Sequence, residues 1–293
     1  MIIVALRVGL LWITALGASA APALDGEISW QPEEQGVLVD RGLPLEGGNN
    51  FRDLGGYQTA QGRQVVWGTL FRSGSMSGLT DADYALLGTL GIRVISDLRS
   101  TNERQREPTR WRGSAAPRRL ERDYDLDLGP LMAALSGPVD ETTARAALAG
   151  FYRDIPFKYA GDYRNLFAAL LDGEAPLAVN CSAGKDRTGI AAALLLTALG
   201  VPRSDVVDDY LLSNRYYRRQ PVDPEQLDPS TRFLASLSPA VVNILTSVQR
   251  EFIDASFEAI EARHGSVEHY LEVELGVDES ARVRLVELYT RPL

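Results

Sequence analysis

Apolar residues recur in three arrangements along this chain. Between positions 79 and 90 they fall at helical spacing, as Tyr84, Leu86, Leu87 and Leu90. Thr80 with Asp83 three residues on forms a capping-box variant, and Gly91 ends the predicted helix. Residues 92–98 then read as a short strand, with Asp97 near its carboxyl end. Leu177-Ala178-Val179 is short, apolar and strand-like, residues 181–187 read as a loop, and residues 188–199 as a helix. That helix is apolar almost all round, which predicts burial, and Gly200-Val201-Pro202 stops it. A third helix starts at Ser204 as N-cap and runs through Tyr217, with Val206, Val207, Tyr210 and Leu211 on its apolar face. Helices follow over 241–261 and 280–289. Alternating units of this kind predict an α/β fold, with a mostly parallel central sheet flanked by helices. Residues 129–171, rich in helix formers, predict a helical insertion beside the sheet, and the three prolines of 221–229 predict a loop. Either segment is a candidate lid.

The amino-terminal pattern changes the picture of what folds. Residues 1–7 are weakly basic, 8–16 are apolar apart from Thr14, and Ala18-Ser19-Ala20 is a small-residue cleavage pattern. This reads as an export signal over 1–20, cut after Ala20. The apolar stretch is short against the roughly 20 residues a bilayer span needs, so no stable membrane span is expected after cleavage. The expected location is periplasmic or secreted. Residues 21–45 read as a lead-in and 46–293 as one large domain. The 45% apolar content is ordinary for a globular chain. A net charge of −9 argues against nucleic acid as a partner, and an anionic ligand must be drawn by local charge.

Cys181 is the chain's single cysteine and has no disulfide partner within it. Its surroundings, Asn180-Cys181-Ser182-Ala183-Gly184-Lys185-Asp186-Arg187-Thr188-Gly189, lie between the predicted buried strand and the predicted buried helix. A loop feeding a helix N-terminus turns several backbone N–H groups toward one point and binds an anion there. Ala183 and Gly184 are small enough for the backbone to curl closely, and Ser182 is expected with them among the substrate-binding residues. Arg187 suits a bidentate grip on two phosphate oxygens, and Lys185 adds a second positive charge. The same field favours a thiolate at Cys181, placed to attack phosphorus and form a phosphocysteine. Thr188 is positioned to donate its hydroxyl to the departing sulfur. Arg187 and the loop amides neutralise the phosphate, so no metal or other cofactor is called for. His264 and His269 fall in a charged helical stretch and read as surface residues.

These residues carry a resemblance. Cys181 to Arg187 matches the Cys-x5-Arg signature of protein tyrosine phosphatases, and the fuller run through Gly189 resembles the bacterial tyrosine/dual-specificity (tyrosine and lipid) phosphatases. Asn50-Phe51-Arg52-Asp53-Leu54-Gly55-Gly56-Tyr57, Leu70-Phe71-Arg72-Ser73, Asp97-Leu98-Arg99-Ser100 and Asp209-Tyr210-Leu211-Leu212-Ser213-Asn214 look like that family's other motifs. The resemblance spans about residues 46 to 290. It implies a hydrolase of phosphotyrosine, with phosphoserine/threonine and phosphoinositides as further substrates. It also implies a polar network of Arg52, Asp53, Arg72 and Arg99.

One position departs from the signature. The family usually has His before the cysteine, and this chain has Asn180. That departure keeps a second reading open, a catalytically weak phosphate-binding module. Two carboxylates compete as general acid. Asp186 lies inside the loop. Asp97 lies at a strand's carboxyl end, where ligands of open α/β sheets gather. Asp123, Asp125 and Asp127 are next in order.

Overall fold

The computed structural model describes residues 40–112, 115–218 and 229–293. The predicted signal, most of the lead-in and nearly all of the 221–229 loop lie outside the described residues.

Seven strands form two sheets among the described residues: β1 (Arg52–Asp53), β2 (Arg63–Val65), β3 (Leu70–Ser73), β4 (Val94–Asp97), β5 (Arg118–Glu121), β6 (Leu177–Asn180) and β7 (Thr290–Pro292). The central sheet has the order β1-β3-β6-β4-β5, and β2 pairs with β7 in a small second sheet. In the central sheet only β1 is antiparallel to its neighbour. The mostly parallel sheet expected from the sequence is therefore present. Of its strands, β4 and β6 were read from the sequence; β1, β3, β5 and the small second sheet are additions.

The inner strands alternate between two cores. Leu70, Val94, Leu177 and Val179 face one cluster, and Phe71, Ile95 and Ala178 face the other. Burial on both faces is why β4 and β6 read as short apolar runs. The larger cluster takes in helices Glu141–Lys158, Ala160–Leu171, Arg187–Ala198 and Arg250–His264. Helix Asp81–Thr89 covers the other face, with the predicted Thr80/Asp83 capping box formed.

Three helix predictions need correction. Ser204 is not an N-cap. The helix Arg203–Leu211 starts behind Pro202, whose fixed backbone sets the start without a side-chain bond. It breaks at Leu212 before a short turn, Ser213–Tyr216. The predicted 241–261 helix is two, Pro239–Thr246 and Arg250–His264, parted where Ser247 and Gln249 adopt extended backbone. Asn214 fixes that break, accepting from Val248 N–H and donating to Val248 O, each at 2.8 Å.

β6 is the middle strand. Its last residue, Asn180, is level with Ser73 of β3 and Asp97 of β4. Three carboxyl ends thus converge beside the loop that starts at Cys181.

Candidate active site

The loop from Cys181 runs directly into the helix Arg187–Ala198, and Cys181 is almost fully buried. Its tight curl depends on Gly184, which has a φ of +67°. A Cβ there would lie 2.4 Å from the Ser73 backbone, so only glycine fits. The loop is also tied down from outside. Ser75 N–H donates to Ser182 O at 2.8 Å. Arg72 Nη2 donates to Gly184 O at 2.8 Å, and Asn50 Nδ2 donates to Ala183 O at 3.1 Å and Gly184 O at 2.9 Å. Asn50 reaches that position from a left-handed backbone with φ of +55°, which Asn tolerates better than most residues.

Behind these ties sits a sealed charge cluster. Asp209 accepts from Arg52 Nε at 3.2 Å and from Arg72 Nη1 at 2.6 Å, and all three side chains are buried. Burial pushes Asp209 up, but the Arg52 and Arg72 charges win and hold it at about 2. Burial, then repulsion from Arg72, pushes Arg52 down to about 10, with Asp209 opposing. The two shifts have opposite implications, because one carboxylate must neutralise two guanidinium groups. Arg52 and Arg72 thus enter the network that the resemblance implied. Asp53 does not: its oxygens accept from Gly55 and Gly68 N–H instead. Burial raises Asp53 to about 6 against those bonds.

On the opposite flank, Arg187 meets a residue the sequence motifs do not include. Glu103 takes Nη1 and Nη2 of Arg187 at 2.7 Å each, and its Oε1 also accepts from Ser182 Oγ at 2.6 Å. Glu103 sits in the first turn of helix Thr101–Arg106, where it closes a capping box with Ser100. Burial pushes its carboxyl up, but the Arg187 hydrogen bonds and charge bring it down to about 2. Arg187 Nη1 also donates to Leu98 O at 3.1 Å and Tyr124 Oη at 2.8 Å. The signal was in the sequence: Ser100-x-x-Glu103 follows the Asp97-Leu98-Arg99-Ser100 motif directly.

The two candidate acids are placed differently. Both oxygens of Asp97 are bonded to Arg99, the closest contact being Nη2 to Oδ2 at 2.6 Å, and Oδ1 also accepts from Asn180 Nδ2 at 3.2 Å. Asp186 is part-exposed at 24%, with Oδ1 accepting from Tyr152 Oη and lying 3.4 Å from Lys185 Nζ. Lys185 is turned toward that carboxylate and the Ser247 carbonyl, 3.5 Å away. Thr188 Oγ1 is buried and makes no hydrogen bond, as is Oδ1 of Asn180. Asp123 and Asp125 are exposed beside helix Thr101–Arg106, and Asp127 caps Gly129. His269 is exposed as expected. His264 is not a surface residue: its side chain is 10% exposed, stacked on Phe157.

Residues 43–291 match the model of the tyrosine phosphatase family. The chain belongs to that family. It is 35% identical over 276 residues to a Cupriavidus necator protein named, by inference, a tyrosine-protein phosphatase. That alignment covers 91% of this chain and 95% of the relative. It is 29% identical over 280 residues to the triple specificity protein phosphatase PtpB of Mycobacterium tuberculosis, covering 82% of this chain and 96% of that one. A tyrosine-protein phosphatase of Nostoc commune is 30% identical over 162 residues, about half of each chain. The protein is thus a phosphatase, and its substrates are phosphorylated.

Proposed function

We propose that this phosphatase hydrolyses phosphotyrosine through a phosphocysteine on Cys181, and also takes phosphoserine/threonine and phosphoinositides. The observation that carries this reading is the placement of Cys181. It stands just past the end of the central strand, at the start of the loop that runs into a buried helix, with Arg187 held in register by Glu103. Glu103 occupies the outer end of the guanidinium. The Nε–Nη2 edge is then the fork presented to two phosphate oxygens.

In the first step the Cys181 thiolate attacks phosphorus. The S–P bond forms, the P–O bond breaks, and Asp186 gives its proton to the leaving oxygen. In the second step water attacks the phosphocysteine and Asp186 takes a proton from it. The sulfur leaves, with the unpartnered Thr188 hydroxyl free to donate to it. Asp186 is the favoured acid because Asp97 is committed on both oxygens to Arg99. Family membership favours this reading over a phosphate-binding module, despite Asn180.

The broader substrate range rests on the resemblance and on the name of the mycobacterial relative. The test is turnover of p-nitrophenyl phosphate in the presence of chelator, then a panel of phosphopeptides and phosphoinositides. Cys181→Ser should abolish turnover and keep phosphate binding; equal turnover would overturn the mechanism. The same reading includes export, carried by residues 1–20. Cell fractionation checks it: a mature form beginning at Ala21 outside the cytoplasm is expected.

A further inference from the structure

The carboxylate of Asp186 is not left to find its own orientation. Tyr152, on helix Glu141–Lys158, donates its hydroxyl to Asp186 Oδ1. Tyr210, on helix Arg203–Leu211, donates in turn to Tyr152 Oη at 2.8 Å. Both tyrosines are buried, at 1% and 0% exposure, so water does not compete for the bond between them, and it reaches the Asp186 bond only from the carboxylate side. The Tyr152 ring is clamped by Tyr210, Phe151 and Phe252, which fixes its rotamer. Ser256 also bonds its backbone carbonyl at 2.7 Å.

The first turn of the helix behind the loop makes room for this chain. Gly189 lies under the Tyr210 ring, and a Cβ there would meet Cδ2 at 3.0 Å. Any larger residue two positions after Arg187 would push Tyr210 away from Tyr152.

We propose that Tyr152 and Tyr210 are positioning residues for the general acid, and that they decide which oxygen of Asp186 carries the proton. This rests on the proposed role of Asp186. A carboxylic acid has one proton, and an oxygen accepting a strong hydrogen bond is the poorer place for it. Oδ1 accepts from Tyr152 and faces Lys185, so the proton resides on Oδ2. Oδ2 is therefore the oxygen that protonates the leaving group and later takes the proton from water. Burial first, then the Asp186 charge, raises the Tyr152 hydroxyl well above its ordinary range, so it remains a donor at every working pH. Lys185 tightens the same side of the carboxylate.

The test measures kcat/KM across aryl phosphates of rising phenol pKa, because that constant reports the step in which the P–O bond breaks, where a proton donor matters most for poor leaving groups. Asp186→Asn should steepen the dependence on leaving group. Tyr152→Phe, which keeps the ring and its packing, should steepen it in the same direction. Phenyl phosphate should lose about tenfold and p-nitrophenyl phosphate less than about twofold. Tyr210→Phe should follow with a smaller change. In an Asp186→Asn background, Tyr152→Phe should add nothing, since the group it orients is gone. Tyr270→Phe is the control for a merely structural tyrosine: it is buried and bonds Pro156 O, and it should leave the slope unchanged.

Three outcomes overturn the inference. A uniform loss across all leaving groups in Tyr152→Phe would make Tyr152 structural. Steepening by Asp186→Asn with none by Tyr152→Phe would leave the acid in place and remove its positioning. No steepening by Asp186→Asn would remove the acid assignment, and the tyrosine role with it.

Discussion

Two ion-pair clusters brace the same loop, and they differ in how far water reaches them. Behind the loop, Arg72 and Asp209 are 0% and 2% exposed, and Arg72 reaches the loop at the Gly184 carbonyl. In front, Arg187 and Glu103 are 8% and 21% exposed, and the Nε–Nη2 edge of the arginine is the one proposed to take the ligand. The chemistry of the pairs is alike, since both carboxyls are held at about 2 by guanidinium partners. The difference in burial divides their tasks. A sealed pair with every oxygen engaged is a brace, whose loss appears as stability. A pair at the rim with an uncommitted edge is a grip, whose loss appears as rate.

The largest break of this comparison is at the grip. Arg187→Lys keeps the charge but loses the fork, and a point charge cannot span two phosphate oxygens and Glu103 at once. The catalytic constant should fall on the order of a hundredfold or more, while the urea midpoint changes little. A loss under about fivefold would take Arg187 out of its role.

Next come paired substitutions that test the division directly. Asp209→Asn leaves Arg52 and Arg72 buried without a counter-charge, and removing one partner of such a cluster costs about 3–5 kcal/mol. Glu103→Gln keeps the capping bond and the shape but loosens Arg187. It should lower kcat/KM on the order of tenfold with a much smaller loss of stability. The readouts are urea unfolding and steady-state kinetics on both variants. Equal effects of the two variants on stability and on rate would erase the distinction between brace and grip.

How much of this was legible in the sequence follows the same line. The grip's own residues, Cys181 and Arg187, announce themselves because a strand, a small-residue loop and an apolar helix are contiguous in the chain. Asp186 and Thr188 come with them. Glu103 lies 84 residues from Arg187 and Tyr152 34 from Asp186, and they reach the loop by folding, while Asp209 acts on it through Arg72. Glu103 carried a local clue in its capping box with Ser100. Tyr152 carried none, since it sits among helix formers whose period predicts only a buried face. Asp209 and Tyr210 were visible as part of a motif, but only the structure separates them. One neutralises arginines, and its neighbour on the next helical position supports Tyr152. The sheet was legible in β4 and β6, whose short apolar runs read as strands, while Arg72 in β3 and the two arginines of β5 hide those strands from the same reading. β1, β2 and β7 are too short to show any period.

The smallest effect expected is also the one that titrates the two clusters together. Glu103 falls from an ordinary 4.5 and Asp209 from 3.8, both to about 2. A depressed carboxyl contributes stability that is present above its unfolded value and lost as pH falls through its folded value. The window is therefore about pH 4.5 down to 2. Arg52, held down at about 10, stays protonated throughout this window, so its burial cost is constant and adds no slope. For Asp209 the loss amounts to about 2 kcal/mol, because a tenfold change in proton affinity corresponds to about 1.4 kcal/mol. Asp209→Asn should flatten the fall in unfolding free energy between pH 4 and 2, because its amide has no proton to gain. Glu103→Gln should flatten it less, since Glu103 is nearer solvent and its coupling is partly screened. Urea titrations at half-unit pH steps over that range would resolve the order. If Glu103→Gln flattened the curve more than Asp209→Asn, the rim pair would be the stronger brace, and the assignment of tasks by burial would be reversed.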